Sequence, residues 1–122
     1  MKYQLSDGLP IYMQIKSYIE DSIIKEAIKE GERVPSTNEF AKFYNINPAT
    51  AAKGVNELVA EDILMKRRGV GMFVKEGARQ QLVEKRQKHF FAEYILPLKK
   101  EARKLNISTE QLIKMLHESN EE

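Results

Sequence analysis

The chain of 122 residues is 42% hydrophobic, enough for one modest core or for a small domain with an appended element, and its lack of cysteine removes disulfides, thiolate metal sites and cysteine nucleophiles. No apolar run approaches the roughly 18 residues of a membrane span and no signal-peptide core follows residues 1–7, so a cytoplasmic location is expected. The formal charge of +2 gains meaning only from its distribution: residues 33–75 hold seven basic side chains against four acidic ones, a surplus that suits a polyanionic partner.

Pro10 opens a helix pattern in which Ile11, Ile15, Ile19 and Ile23 recur every fourth residue, with an end expected near Ala27 and before Gly31. The sequence Ser36-Thr37-Asn38-Glu39 then offers a reciprocal capping box, with Phe40, Ala41 and Phe43 expected on the inward side of a second helix. Asn47-Pro48 is a further start signal, asparagine as N-cap and proline as first residue, followed by the apolar positions Ala51, Val55, Leu58 and Val59. Two capped helices joined by so short a link form a helix-turn-helix arrangement. Residues 63–66 and 72–74 read as two strands around a turn, with Gly69 and Gly71 supplying positive φ or close backbone approach. Three helices followed by a β-hairpin make a winged helix-turn-helix, mainly α with a small β-hairpin, over residues 1–77.

After Gly77 a long charged helix is expected from about Ala78. Within it Phe91, Ile95, Leu98, Ala102 and Leu105 form a narrow coiled-coil-like seam, and Pro97 inside the seam predicts a kink. Ser108 and Gln111 supply another capping box for a last short helix, with Leu112, Met115 and Leu116 expected inside. Residues 78–122 are therefore expected to be a two-helix tail, its seam needing a partner.

The third helix should turn Pro48, Ala49, Ala52, Lys53 and Asn56 outward, with Thr50 at the edge. Small apolar groups suit thymine methyls, Asn and Thr suit base edges or phosphates, and Lys53 suits phosphate or guanine; the plainer alternative is a solvated helix face. Ala51 and Gly54 are small for a packed helix. Ser36 and Asn47 are caps in any case, and helix N-termini also suit phosphate oxygens. Lys66, Arg67 and Arg68 beside Gly69 and Gly71 form the most basic spot of the chain, suited to a sugar-phosphate wall or a minor groove, or else to a solvated hairpin edge. Catalysis has almost nothing to build with. His89 and His117 lack carboxylate partners at metal-ligand or triad spacing, Phe90, Phe91 and Tyr94 read as packing groups, and no enzyme activity, metal or cofactor is expected.

The stretches "LPIYMQIKSYIEDSII", "GERVPSTNEFAKFYNINPATAAKGVNELVAEDIL" and "KRRGVGMFV" together resemble the GntR family of bacterial transcription regulators. The Pro-Ile-Tyr-x-Gln-Ile opening, the Pro-Ser start of the second helix and the Arg-x-Gly-x-Gly-x-Phe-Val wing occur in order, and the short tail resembles that of the YtrA subfamily, in which it mediates dimerisation. The resemblance implies a sequence-specific DNA-binding homodimer, a repressor by the usual habit of such families, acting on an inverted-repeat operator. It carries DNA-facing roles onto Ser36, Thr37, Asn38, Asn47, Pro48, Ala49, Thr50, Ala52, Lys53, Arg68, Gly69, Val70 and Gly71, which Arg67 joins through the basic hairpin. Dimer contacts fall on Phe91, Ile95, Leu98, Ala102, Leu105, Leu112 and Leu116. Asn38, Pro48 and Ala52 replace arginines common in relatives, and Met72 replaces a usual threonine. A winged-helix module that uses the same faces to bind a protein is the alternative, favoured by the sparse charge of the third helix.

Overall fold

The computed structural model describes residues 8–118, which fall into two compact units divided after Glu84. Residues 1–7 and 119–122 lie outside the described part.

In the first unit, α1 (Ile11–Ile24) buries Ile15, Ile19 and Ile23 on one stripe, while Ile11 at its start stays 37% exposed. Two polar residues go into the core with them and are satisfied locally: Gln14 Nε2 donates to the Leu9 carbonyl (2.7 Å) and Ser22 Oγ to the Tyr18 carbonyl (2.9 Å). The helix stops three residues before the expected point. Glu26 adopts φ 62°, the Ala27 amide turns back to the Ser22 carbonyl (2.8 Å) and the Glu26 amide to that of Ile23 (3.1 Å), the paired bonds of a Schellman cap. Helices α2 (Thr37–Tyr44) and α3 (Pro48–Ala60) end the same way, at Asn45 and Asp62, where Ile46 donates to Ala41 (3.0 Å) and Ile63 to Leu58 (2.9 Å). This cap is what keeps the link between α2 and α3 so short.

Tyr44, four residues after Phe40 and so on the same helical face, joins the inward side of α2. Its ring stacks on Phe40 with centroids 6.5 Å apart, and Tyr18 meets Phe40 edge-on at 6.3 Å. Phe43, expected inside, is 53% exposed: it stands about 100° round the helix from Tyr44, on the far side of Phe40, and meets the Tyr44 ring edge-on with centroids 5.0 Å apart.

The strands are β1 (Arg33–Val34), β2 (Leu64–Arg67) and β3 (Gly71–Val74), in a three-stranded antiparallel sheet of order β1-β3-β2. The hairpin is thus extended by a strand that sequence reading did not contain. Arg33 lies opposite Phe73 and Val34 opposite Met72, which places the chain entering α2 directly beside the wing. Val34, Leu64 and Val74 face the core.

Helix α4 (Ala78–Phe90) starts where expected, yet its first turns belong to the winged unit. Ala78 and Leu82 are buried in the same core, and Arg79 Nε donates to the Ile24 carbonyl (2.7 Å) near the end of α1. The first compact unit thus runs on to Glu84, past the joint at Gly77, and takes in the two core side chains Ala78 and Leu82.

The second unit holds the rest of α4, a π-helical turn (Phe91–Ile95), α5 (Leu96–Lys104) and α6 (Thr109–His117). The irregularity demanded by Pro97 is placed ahead of it. The Leu96 amide donates five residues back to the Phe91 carbonyl, and Pro97 then sits in the first turn of α5, where its missing N–H is tolerated. Asn106 (φ 58°) forms the C-terminal cap of α5, and Ser108 with Gln111 forms the expected capping box.

Candidate nucleic-acid interface

At the start of α2, Ser36 Oγ accepts from the Glu39 amide (3.0 Å) while Glu39 Oε1 accepts from the Ser36 amide (2.6 Å). The same Glu39 oxygen holds Arg33 Nη2 at 3.3 Å, so β1 is tied to the α2 cap through one carboxylate. The Ser36 amide above all, then the Ser36 side chain and the Arg33 guanidinium, hold the Glu39 carboxyl below the usual carboxylate range. Asn47 caps α3, its Oδ1 accepting from the Ala49 amide (2.8 Å), with Pro48 as the first helical residue.

The small residues of α3 have a geometric reason. Ala51 is fully buried, and a Cβ at Gly54 would lie 2.5 Å from the Tyr12 carbonyl oxygen, so α1 and α3 cross backbone against side-chain-free backbone. The crossing is fastened at both ends. The Lys53 ammonium lies 4.1 Å from the Tyr12 ring centroid, and Lys16 Nζ reaches Glu57 (3.2 Å) and Glu61 (2.6 Å). Burial pulls the Lys16 ammonium down, but the hydrogen bonds to Glu61 and Glu57 and the charges of Glu61 and Glu20 together outweigh it and leave its pKa raised.

The wing turns at Arg67, Arg68, Gly69 and Val70, where the Val70 amide donates to the Arg67 carbonyl (2.9 Å) and Gly69 takes φ 76°, as the third position of a type II turn requires. Gly71 (φ 140°) leaves room for Arg33, whose Nε would be 2.9 Å from any Cβ there. Arg67 lies over the Phe73 ring, 4.5 Å from its centroid.

These elements enclose an open groove of about 520 Å³ between the α2 N-terminus, α3 and the hairpin. Of the residues expected to face DNA, it brings together Ser36, Thr37, Asn38, Ala52, Arg67, Gly69, Val70 and Gly71. Asn47, Pro48, Ala49, Thr50, Lys53 and Arg68 do not line it. Asn47, Pro48, Ala49, Lys53 and Arg68 are exposed on the outer surface, and Thr50 is half-buried. The groove adds Arg33, Asn56, Lys66 and Met72, of which Asn56 and Lys66 were legible as an outward helix position and part of the basic run. Arg33 had no such signal, because its place depends on pairing with β3.

In the second unit Phe91, Leu98, Leu105 and Leu116 are 42–79% exposed, Ile95 and Leu112 are half-buried, and Ala102 is buried at 5%. Met115 and Leu116, expected inside, are 51% and 79% exposed: α6 is too short to cover more than one apolar position. His89 and His117 are exposed, and no helix among the described residues is long and apolar enough to cross a membrane.

Residues 11–74 match the family described as bacterial regulatory proteins, gntR family. Over 75 residues the chain is 37% identical to the HTH-type transcriptional repressor YtrA of Bacillus subtilis. That match covers 62% of this chain and 58% of the relative, so the chain spans little more than half the length of this relative. A GntR family transcriptional regulator from Listeria monocytogenes has a similar structure, with a TM-score of 0.75 at 29% identity over 92% of this chain and 96% of that one. The AraR(DBD) solved in complex with operator ORR3 superposes with a TM-score of 0.53 at 28% identity, over 61% of this chain and 92% of that one.

Proposed function

The chain belongs to the gntR family of bacterial regulatory proteins, and from that premise we propose that it is a cytoplasmic, sequence-specific DNA-binding repressor that acts as a homodimer on an inverted-repeat operator. Family and fold are those of transcription regulators rather than enzymes. The observation that carries the DNA reading is the groove shared by α2, α3 and the hairpin, whose rim holds Arg33, Lys66 and Arg67 around uncharged Ser36, Thr37, Asn38, Ala52 and Asn56. Cations at a rim hold phosphates, and small or amide side chains between them read base edges and methyl groups.

The homodimer reading is supported by the tail. Large apolar side chains there remain open to water in the single chain, among them Phe91, Tyr94, Leu98 and Leu105, and burial against a second copy about a two-fold axis is the commonest remedy. A two-fold axis repeats the recognition helix about 34 Å along one face of the duplex, or a multiple of that, and so calls for an inverted repeat.

The test is binding to mixed-sequence duplex DNA at graded salt, followed by selection from a random pool. Strong salt dependence and recovery of an inverted repeat are expected. Absence of salt-dependent DNA affinity would favour a protein-binding module, the reading to which the low charge of α3 lends itself.

A further inference from the structure

The outward arc of α3 is formed by Ala49, Lys53 and Asn56, all exposed. Asn56 and Ala52, one turn apart on the wing side, line the groove, whereas Lys53 is about 100° round from Ala52 and does not. Its ammonium is instead drawn toward α1, where it lies 4.1 Å from the centroid of the Tyr12 ring. The backbone that carries the Tyr12 ring is held by the crossing. The Tyr12 carbonyl is the atom against which Gly54 packs, and the Lys16 bridges to Glu57 and Glu61 fix the next turns of α3 against the same helix. A lysine stem is otherwise one of the most freely rotating side chains, and its charge would sample the whole outward face.

We propose that Tyr12 is a positioning residue that holds the Lys53 ammonium at the α1 flank of the recognition helix, so that Lys53 serves a backbone phosphate rather than a base edge. The proposal rests on the DNA-binding reading. A helix about 10–12 Å across fills a major groove about 12 Å wide, so its outermost arc meets the base edges and its flanks meet the phosphate walls. An ammonium fixed at the flank is spared the loss of rotamer freedom on binding, and it keeps its charge facing a phosphate instead of the bases. Ala49 and Asn56 are then left as the residues of the outer arc that face the bases, and the reading of sequence passes to them.

The test is a double-mutant cycle on the full chain, with fluorescence anisotropy on mixed-sequence duplex DNA and on the best duplex recovered from a random pool. Lys53→Ala is expected to weaken both by the same factor and to lower the salt slope by about one. Tyr12→Leu is expected to weaken both roughly two- to fivefold, the worth of an exposed cation–π contact, but to have no effect once Lys53 is alanine. Tyr12→Phe keeps the ring and should bind as the unaltered chain does. Without DNA, the Lys53 side-chain methylene protons should show an aromatic ring-current shift that Tyr12→Leu abolishes and Tyr12→Phe retains. A Tyr12→Leu effect that persists in the Lys53→Ala background would overturn the assignment, as would a changed sequence preference in Lys53→Ala. Absence of any duplex affinity in the unaltered chain would remove the DNA reading and this assignment together. A missing ring-current shift in a chain that still binds DNA would remove the assignment alone.

Discussion

Replacing Gly54 by alanine sets two opposite effects against each other in one position. Gly54 lies inside α3 at a helical φ, so alanine should return about 1 kcal/mol of helix propensity. Against this, the new Cβ would stand 2.5 Å from the Tyr12 carbonyl oxygen, where ordinary contact begins at 3.4 Å, so the helices must part by about 0.9 Å. The opposing atom is backbone, and no rotamer change can yield. Overpacking of this kind costs about 1–3 kcal/mol, and the upper end applies because separation also loosens the Lys53–Tyr12 contact and the Lys16 bridges to Glu57 and Glu61. The net expectation is a loss of roughly 2 kcal/mol, equivalent to about 8–16 °C in the melting temperature of a domain this small. Urea unfolding followed by circular dichroism, with coincidence of a second probe to check that the transition is two-state, measures it. A variant as stable as the parent, or more stable, would refute the reasoning, because propensity would then have outweighed a contact argued to be rigid.

Other substitutions test separate parts of the argument. Arg67→Ala with Arg68→Ala should weaken binding to operator and to mixed-sequence DNA together and lower the salt slope by roughly one per lost phosphate contact; an unchanged slope would remove the wing from the interface. The Glu39 pKa is lowered on folding, so the carboxylate stabilises the native state above its ordinary value of 4.5, and that support is lost as pH falls through the depressed folded value. Glu39→Gln should therefore flatten the acid limb of a stability–pH profile, and an identical limb in both proteins would count against the capping geometry. The Lys16 pKa is raised, so its support is full below the ordinary value of 10.5 and fades as pH rises through the folded value. Lys16→Met should cost about 1 kcal/mol at neutral pH and shrink toward no difference in strong alkali, both read from urea midpoints. Ile95→Glu with Leu98→Glu should yield monomers with an intact winged unit but much reduced operator affinity; sedimentation of the parent as a monomer at micromolar concentration would sink the dimer.

What could be read from the sequence was what depends on neighbours along the chain. The capping boxes at Ser36 and Ser108 and the Asn47-Pro48 start each depend on residues three or fewer apart, and each forms as read. The ends of α1 and α3 were harder, because Glu26 and Asp62 take the left-handed conformation that glycine would have announced. Strand β1 is two residues long, too short for any alternation, and exists only because β3 lies beside it. The smallness of Gly54 was visible in the sequence, and its cause, a carbonyl from a helix some forty residues earlier, was not.

The same division between near and distant neighbours governs the candidate interface. Residues brought to the groove by their own helix start or turn, such as Ser36, Gly69 and Gly71, were found from local signals, whereas Arg33 required the β1–β3 pairing. With Arg33 placed, the distribution of charge becomes coherent. The cations Arg33, Lys66 and Arg67 stand around the groove and Lys53 stands at the α1 flank of α3, while the helix between them presents Ala49, Ala52 and Asn56. In the proposed complex, affinity would then come from rim charges that neutralise phosphates, and discrimination from small groups on the helix that allow its backbone close to the bases. Asn38, Pro48 and Ala52 offer no bidentate guanine contact. An operator read by this chain should accordingly depend on thymine methyls and an amide-to-adenine contact through Asn38 or Asn56, which places its most constrained positions at A·T pairs.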